Sequence, residues 1–197
     1  MIILISGNSC TGKTLMSQKL LEKYHIPYLS IDHIKMGMYR ADAGCGFTPL
    51  DSTEHIGEKL WPIIKGIIMT NIENSQNIII EGCYILPHYI KDFEAAYSEK
   101  IISVFIGFSQ NYIEKNFTSN IVKHRNAIED RGYPEEGIID DYIDEHDAFR
   151  RKCLANDVDY FEIDKNYEEE ITKVYDFIET QKREIDRKFK SFNARMV

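Results

Sequence analysis

Residues 7–14 read Gly7-Asn8-Ser9-Cys10-Thr11-Gly12-Lys13-Thr14, directly behind the apolar run MIILIS. The stretch fits G-x-x-x-x-G-K-[ST] in full. Small residues at these positions let the backbone wrap closely, so that consecutive N–H groups point inward at an anion. A helix beginning at the end of the stretch adds the positive end of its dipole. In that geometry Lys13 reaches the β- and γ-phosphates of a nucleotide and the Thr14 hydroxyl ligates Mg²⁺. Without a ligand the stretch would pack poorly, with two glycines, little side-chain bulk and a lysine that is costly to bury unpaired. A bound phosphate chain compensates. Cys10, inside the loop, reads as a small filler and not as a nucleophile.

Two carboxylates stand where they can work with that loop. Asp32 follows the extended segment 27–30, at the carboxyl end of a strand, where open α/β sheets bind ligands. There it can accept the proton of a hydroxyl as a phosphoryl group is transferred. Asp32 equally suits the N-cap of a helix starting at His33, and the two roles are compatible. Glu81 closes the run Ile78-Ile79-Ile80-Glu81-Gly82. A carboxylate at such a strand end can hold a magnesium-bound water or a substrate hydroxyl. Gly82 would let a ligand approach the backbone. Lys35 and Arg40 follow Asp32 and can bind an anionic substrate, though a solvated surface explains them as well.

These residues together resemble the P-loop NTPase superfamily, and within it the small kinases of the nucleotide-kinase, shikimate- or gluconate-kinase and zeta-toxin-like group. The phosphate loop is the specific part of the match; the rest rests on layout. The resemblance implies ATP and Mg²⁺ as cofactors and places Asp32 against the acceptor hydroxyl. It also implies a lid whose arginines close over the transferring phosphoryl group, for which Arg125 and Arg131 are the candidates, with Arg150 and Arg151 behind them. The loop around 162–167 would border the nucleotide base. Nucleoside monophosphate kinases hold the acceptor phosphate with an arginine three residues after the Asp; here that residue is Lys35, which lacks the bidentate fork. The departure favours an alcohol acceptor. The guanine-reading pattern Asn-Lys-x-Asp is absent from the chain, which favours ATP over GTP.

The elements that must position these residues are legible as alternation. Five short β-type runs lie at 2–6, 27–30, 78–81, 101–108 and 158–163, three of them continuously apolar, as strands buried on both faces are. Helical spacing fills 14–24, 51–74, 110–125 and 167–187. The third strand's preceding helix opens on Asp51-x-x-Glu54, which resembles a capping box, and Pro62 should kink it or begin a second helix. Strand–helix alternation predicts an α/β doubly wound fold, and the resemblance makes it the three-layer P-loop NTPase fold: a five-stranded, mostly parallel sheet with helices on both faces. Residues 1–197 are expected to form one kinase domain, with about 32–75 as the acceptor-binding segment and about 125–150 as the lid. The glycine-rich stretch 32–49 and the acidic stretch 129–147 read as flaps or solvated connectors.

Composition bounds the partners. The net charge of −8 argues against a general nucleic-acid binder. Four scattered cysteines without a CxxC pair argue against zinc and for a reducing, cytoplasmic setting. The N-terminal apolar run stops at Ser6, short of a signal peptide, and no run is long enough to span a membrane. The expectation is an ATP-dependent phosphotransferase acting on a small-molecule acceptor, with Asp32 as base, in a monomer or homodimer. The alternatives are a nucleoside monophosphate kinase of the adenylate type and, from another class, an ATP-binding switch without an acceptor.

Overall fold

The structure, a computed structural model, describes residues 1–124, 128 and 138–193, with side chains through 188. Its strands are β1 (Ile2–Gly7), β2 (Tyr28–Ser30), β3 (Ile78–Glu81), β4 (Ile101–Phe108) and β5 (Tyr160–Ile163). They form one sheet in the order β2-β3-β1-β4-β5, and every neighbouring pair is parallel. β1 is therefore central, and the chain crosses from one side of it to the other between β3 and β4. That reversal of direction is where such sheets open a crevice at the carboxyl ends of their strands.

Side-chain alternation on β1 explains why its run is apolar without a break. Ile3 and Ile5 enter a core shared with Met16 and Leu20 of α1 (Lys13–Tyr24). Ile171, Val174 and Ile178 of the long C-terminal helix, Tyr167–Asn193, close the same core. Ile2 and Leu4 point the other way, into a core filled by Ile56, Leu60, Ile64 and Ile68 of the helix Thr53–Glu73. Both faces of the sheet are thus covered, and the fold is α/β with three layers.

In chain order the remaining helices are α2 (Ile31–Ala41), α3 (Thr53–Glu73), α4 (Ala95–Ser98), α5 (Gln110–Asn116), α6 (Ile139–Asn156) and α7 (Tyr167–Asn193). A 3₁₀ segment spans Pro87–Asp92 and a π-helical one Phe117–Val122.

Several local expectations are corrected. The N-cap of α3 is Ser52, whose hydroxyl accepts from the His55 N–H at 3.2 Å, so the capping residue lies one position beyond Asp51. Asp51 instead accepts from the Thr48 N–H at 2.7 Å, closing the turn before the helix. α3 continues through Pro62 as one helix and does not restart there. Ser30 is the N-cap of α2, and Asp32 lies in its first turn, where a carboxylate meets the positive dipole end. The glycine-rich stretch from 32 is helical to Ala41 despite Gly37, and the acidic stretch is helical from Ile139 onward. The helix that begins at Gln110 is α-helical only to Asn116, after which its backbone widens into the π segment. Among the described residues no helix is long and apolar enough to cross a membrane.

Candidate active site

The loop after β1 is built around two positions that exclude a side chain. Gly7 has φ 153°, and a Cβ there would sit 2.2 Å from the Ile106 carbonyl oxygen on β4. Gly12 has φ 85°, and a Cβ there would sit 1.9 Å from the Tyr167 hydroxyl oxygen. Between them Cys10 adopts φ 61°, a left-handed conformation unusual for a residue with a side chain. Left-handed residues set into such a loop turn successive N–H groups to one side, which makes an anion nest.

The loop is fastened through its carbonyls. The buried Thr11 hydroxyl donates to the Asn8 carbonyl at 2.9 Å, and the Lys13 ammonium donates to the same oxygen at 2.7 Å. Tyr167 at the start of α7 donates to the Thr11 carbonyl at 3.2 Å, and Tyr142 of α6 donates to the Ser9 carbonyl. The first helical bond of α1 runs from the Met16 N–H to the Gly12 carbonyl at 2.9 Å. The N–H groups of Lys13, Thr14 and Leu15 therefore lie outside the helical ladder, at the positive end of the dipole.

A cleft of about 770 Å³ opens over this loop. Ser9, Cys10, Gly12, Lys13 and Thr14 line its middle. On the β2–β3 side it is lined by Asp32 and Lys35 of α2, Asp51 and Thr53 before and at the start of α3, and Glu81, Cys83 and Tyr84 at and after the end of β3. On the β4–β5 side its walls are Phe108, Tyr112, Asn116, Asn120, His124 and the segment from Lys165 to Glu168.

The charged groups on the β2–β3 side are tightly organised. The Lys35 ammonium lies 2.8 Å from an Asp32 carboxylate oxygen and donates to the Tyr84 hydroxyl at 2.7 Å. Lys35 retains only 12% side-chain exposure and Asp32 27%, so solvent screens this pair less than a surface one. Glu81 is 2% exposed, and the Thr14 hydroxyl donates to one of its carboxylate oxygens at 3.4 Å.

Behind the loop, His146 of α6 is 1% exposed. Its Nδ1 accepts from the Phe108 N–H at 2.9 Å, and its ring stacks on Phe108 with centroids 5.3 Å apart. An accepting Nδ1 makes the neutral ring carry its proton on Nε2. Burial, and then the Lys13 charge, push the imidazole down to about 3.

The sequence-derived residues distribute unevenly over this geometry. Asp32, Lys35, Glu81 and the loop residues from Ser9 to Thr14, Thr11 excepted, share one cleft. Gly7, Asn8 and Thr11 shape and fasten the loop from beneath. Gly82 stands behind the cleft wall: a Cβ there would meet the Ile31 side chain at 2.9 Å, so its bareness serves the packing of α2 on β3. Arg40 is exposed in the last turn of α2 and lines no part of the cleft. Arg150 pairs with Glu162 at 3.0 Å and Arg151 with Asp147, both on the surface. Arg125 and Arg131 lie outside the described residues. Tyr84, Asn116, Asn120, Tyr142 and His146 escape sequence reasoning. The only available signals are the hydroxyl of Tyr84 just after Glu81-Gly82 and the four-residue spacing within each of the other two pairs.

Among the described residues no cluster of three or more His, Cys, Asp or Glu side chains is placed to hold a metal. Mg²⁺ does not need one, since it keeps waters and takes one or two protein oxygens together with phosphate oxygens. A hydroxyl and a buried carboxylate facing each other beside a phosphate loop are hard oxygen donors of that kind, so Thr14 and Glu81 fit the ion.

No protein-family model and no curated protein matches the chain in sequence. Solved structures match in shape. A gluconokinase from Sinorhizobium meliloti 1021 superposes with a TM-score of 0.54 at 12% identity, covering 96% of this chain and 95% of its own. Two shikimate kinases are similar: that of Bacteroides thetaiotaomicron (TM-score 0.55, 14% identity, 91% and 98% covered) and that of Aquifex aeolicus vf5 (TM-score 0.53, 15% identity, 91% and 97% covered). The chain has the fold of these small P-loop kinases.

Proposed function

We propose that the protein is an ATP-dependent phosphotransferase that moves the γ-phosphoryl group of Mg-ATP to a hydroxyl of a small-molecule acceptor. The observation that carries this reading is the single cleft joining a complete phosphate loop to Asp32 on one side and Glu81 beneath. The fold shared with gluconokinase and shikimate kinases, whose names state a hydroxy acid as acceptor, supports it.

Each group in the cleft then has a task. The loop N–H groups and Lys13 bind the phosphates; a γ-phosphate offers the Lys13 ammonium a charged acceptor in exchange for the Asn8 carbonyl. Mg²⁺, when bound by Thr14 and Glu81, neutralises charge on the phosphates. Asp32, held in orientation by Lys35, takes the proton of the acceptor hydroxyl as its oxygen bonds to the γ-phosphorus. The bond from that phosphorus to the bridging oxygen breaks, and ADP leaves. A loose transition state asks little activation of the nucleophile, so proton transfer to Asp32 can come late. The β4–β5 side supplies the base site, with Phe108 and Tyr112 as apolar walls and Asn116, Asn120 and Asn166 as hydrogen-bonding groups. Residues from about 125, with Arg125 and Arg131, serve as the lid, and the segment from about 32 to 75 binds the acceptor. The setting is cytoplasmic.

Incubation with γ-labelled ATP, Mg²⁺ and pools of hydroxyl compounds tests the reading. The expected result is label on an acceptor with stoichiometric ADP. Tight ATP binding with release of inorganic phosphate alone would identify a nucleotide-binding switch instead.

A further inference from the structure

Two helices from the far half of the chain reach the phosphate loop, each with one phenol. Tyr142 of α6 donates to the Ser9 carbonyl, and Tyr167 of α7 donates to the Thr11 carbonyl at 3.2 Å. In a planar trans peptide the carbonyl and the next residue's N–H point in opposite directions. A Ser9 carbonyl drawn toward α6 therefore turns the Cys10 N–H away from α6, and a Thr11 carbonyl drawn toward Tyr167 turns the Gly12 N–H away from that hydroxyl. Cys10 and Gly12 both line the cleft, and both have left-handed backbone, with φ 61° and 85°. In a residue with a side chain, such as Cys10, that conformation persists where the surroundings fix it. The phenols are themselves held. Tyr142 packs edge-on against Phe117, with centroids 5.6 Å apart, and against His146 one turn on, at 4.8 Å. His146 ties α6 to the end of β4 through the Phe108 N–H. Tyr167 opens α7, whose first turn is capped by Asn166, the side-chain oxygen accepting from the Glu168 and Glu169 N–H groups at 3.1 and 3.3 Å. Its ring meets Phe108 edge-on at 6.4 Å. Burial pushes the Tyr167 phenol well above its ordinary range, so it stays a donor.

We infer that Tyr142 and Tyr167 are positioning residues of the phosphate site, a step that rests on reading the loop as the ATP site: each fixes one peptide, so that the Cys10 and Gly12 N–H groups face the phosphates before a nucleotide arrives. A nest already formed loses little freedom on binding, and its amides meet the phosphate oxygens with charge-assisted hydrogen bonds without rearranging. Tyr142 lines no part of the cleft, so it acts on the nucleotide through the loop alone. The two hydroxyls hold different peptides, from different helices, so their effects are separable. Removing either one frees its own peptide to turn and leaves the other amide, Lys13 and Thr14 in place.

The test uses the full chain and the variants Tyr142→Phe and Tyr167→Phe, which keep the rings and their packing. Tyr89→Phe is the control, because it removes a buried hydroxyl that has no partner among the described residues and sits in the core on the α3 side. Calorimetric titration with ATP and with inorganic pyrophosphate gives the affinities. Each loop variant is expected to bind both ligands roughly 3–10-fold more weakly, by the same factor for the two, and the control to bind as the wild type does. Amide spectra on pyrophosphate addition locate the loss. The Cys10 N–H should lose most of its ligand-induced shift in Tyr142→Phe, and the Gly12 N–H in Tyr167→Phe. Wild-type affinity for pyrophosphate in either variant overturns the inference for that tyrosine. So does a shift pattern disturbed evenly over the loop, which a general loosening of the packing would give. Weaker ATP binding with unchanged pyrophosphate binding puts the loss at the base and overturns it as well. A wild type that binds ATP but not pyrophosphate has no preformed nest, and one that binds neither overturns the phosphate-site reading itself.

Discussion

The Thr14 hydroxyl and the Glu81 carboxylate face each other at 3.4 Å, although 67 residues separate them in the chain. The parallel pairing of β1 with β3, which sets Ile5 opposite Glu81, brings the end of β3 beneath the start of α1. Glu81 is 2% exposed and lines the cleft beside the phosphate loop, where its carboxylate and the Thr14 hydroxyl can hold Mg²⁺. Glu81→Gln should then lower phosphoryl transfer roughly 10–100-fold and shift the Mg²⁺ dependence to higher concentration. Initial rates across a magnesium titration check this. A variant with an unchanged magnesium midpoint would remove Glu81 from the metal site.

Gly12 is expected to be intolerant of the smallest side chain. Its φ of 85° disfavours any L-residue, and the Tyr167 hydroxyl occupies the position of a Cβ. Gly12→Ala should cost about 1–3 kcal/mol of stability and weaken ATP binding, because Tyr167 must leave the Thr11 carbonyl. Urea denaturation and ATP titration of the same sample measure both. Adding Tyr167→Phe should recover part of the stability, since the nearest ring carbon then lies at 3.1 Å.

His146 gives the fold an acid-sensitive point. Its imidazole, held down to about 3 by burial and by the Lys13 charge, binds its proton far less readily folded than unfolded. Above pH 6.5 the ring is neutral in both states and contributes no pH dependence. Below it the unfolded chain takes up a proton that the folded chain refuses, so stability falls with decreasing pH toward 3. The slope is about 1.4 kcal/mol per pH unit for one proton. His146→Gln keeps an acceptor for the Phe108 N–H and should flatten the loss between pH 6.5 and 4 by that amount. Denaturation midpoints across this range measure it, and parallel curves for the two proteins would contradict it.

Legibility from sequence followed the strength of the local signal. The phosphate loop was readable because its chemistry needs particular residues at fixed spacing, and the strands because burial on both faces leaves continuous apolar runs. Glu81 and Asp32 were readable as polar residues that terminate or follow such runs. α6 was not. Its inward face is Tyr142, His146, Phe149 and Cys153, a helical stripe of atypical core residues inside an acidic stretch, so its periodicity does not stand out from composition. α2 was obscured by Gly37 and by burying only Ile31 fully. The Asp32–Lys35–Tyr84 chain was half visible: the three-residue spacing suggests a helical ion pair, but Tyr84 joins it only through sheet register, with Ser30 opposite Glu81.

The most direct measurement is γ-phosphoryl transfer by the wild type and by Lys13→Ala and Asp32→Asn, with acceptor product and inorganic phosphate counted separately. The phosphotransferase account expects acceptor product from the wild type and none detectable from Lys13→Ala. From Asp32→Asn it expects a loss of roughly 10²–10⁴-fold with ATP affinity retained. Acceptor product undiminished in Asp32→Asn would contradict the base, and undiminished product in Lys13→Ala would contradict the site itself.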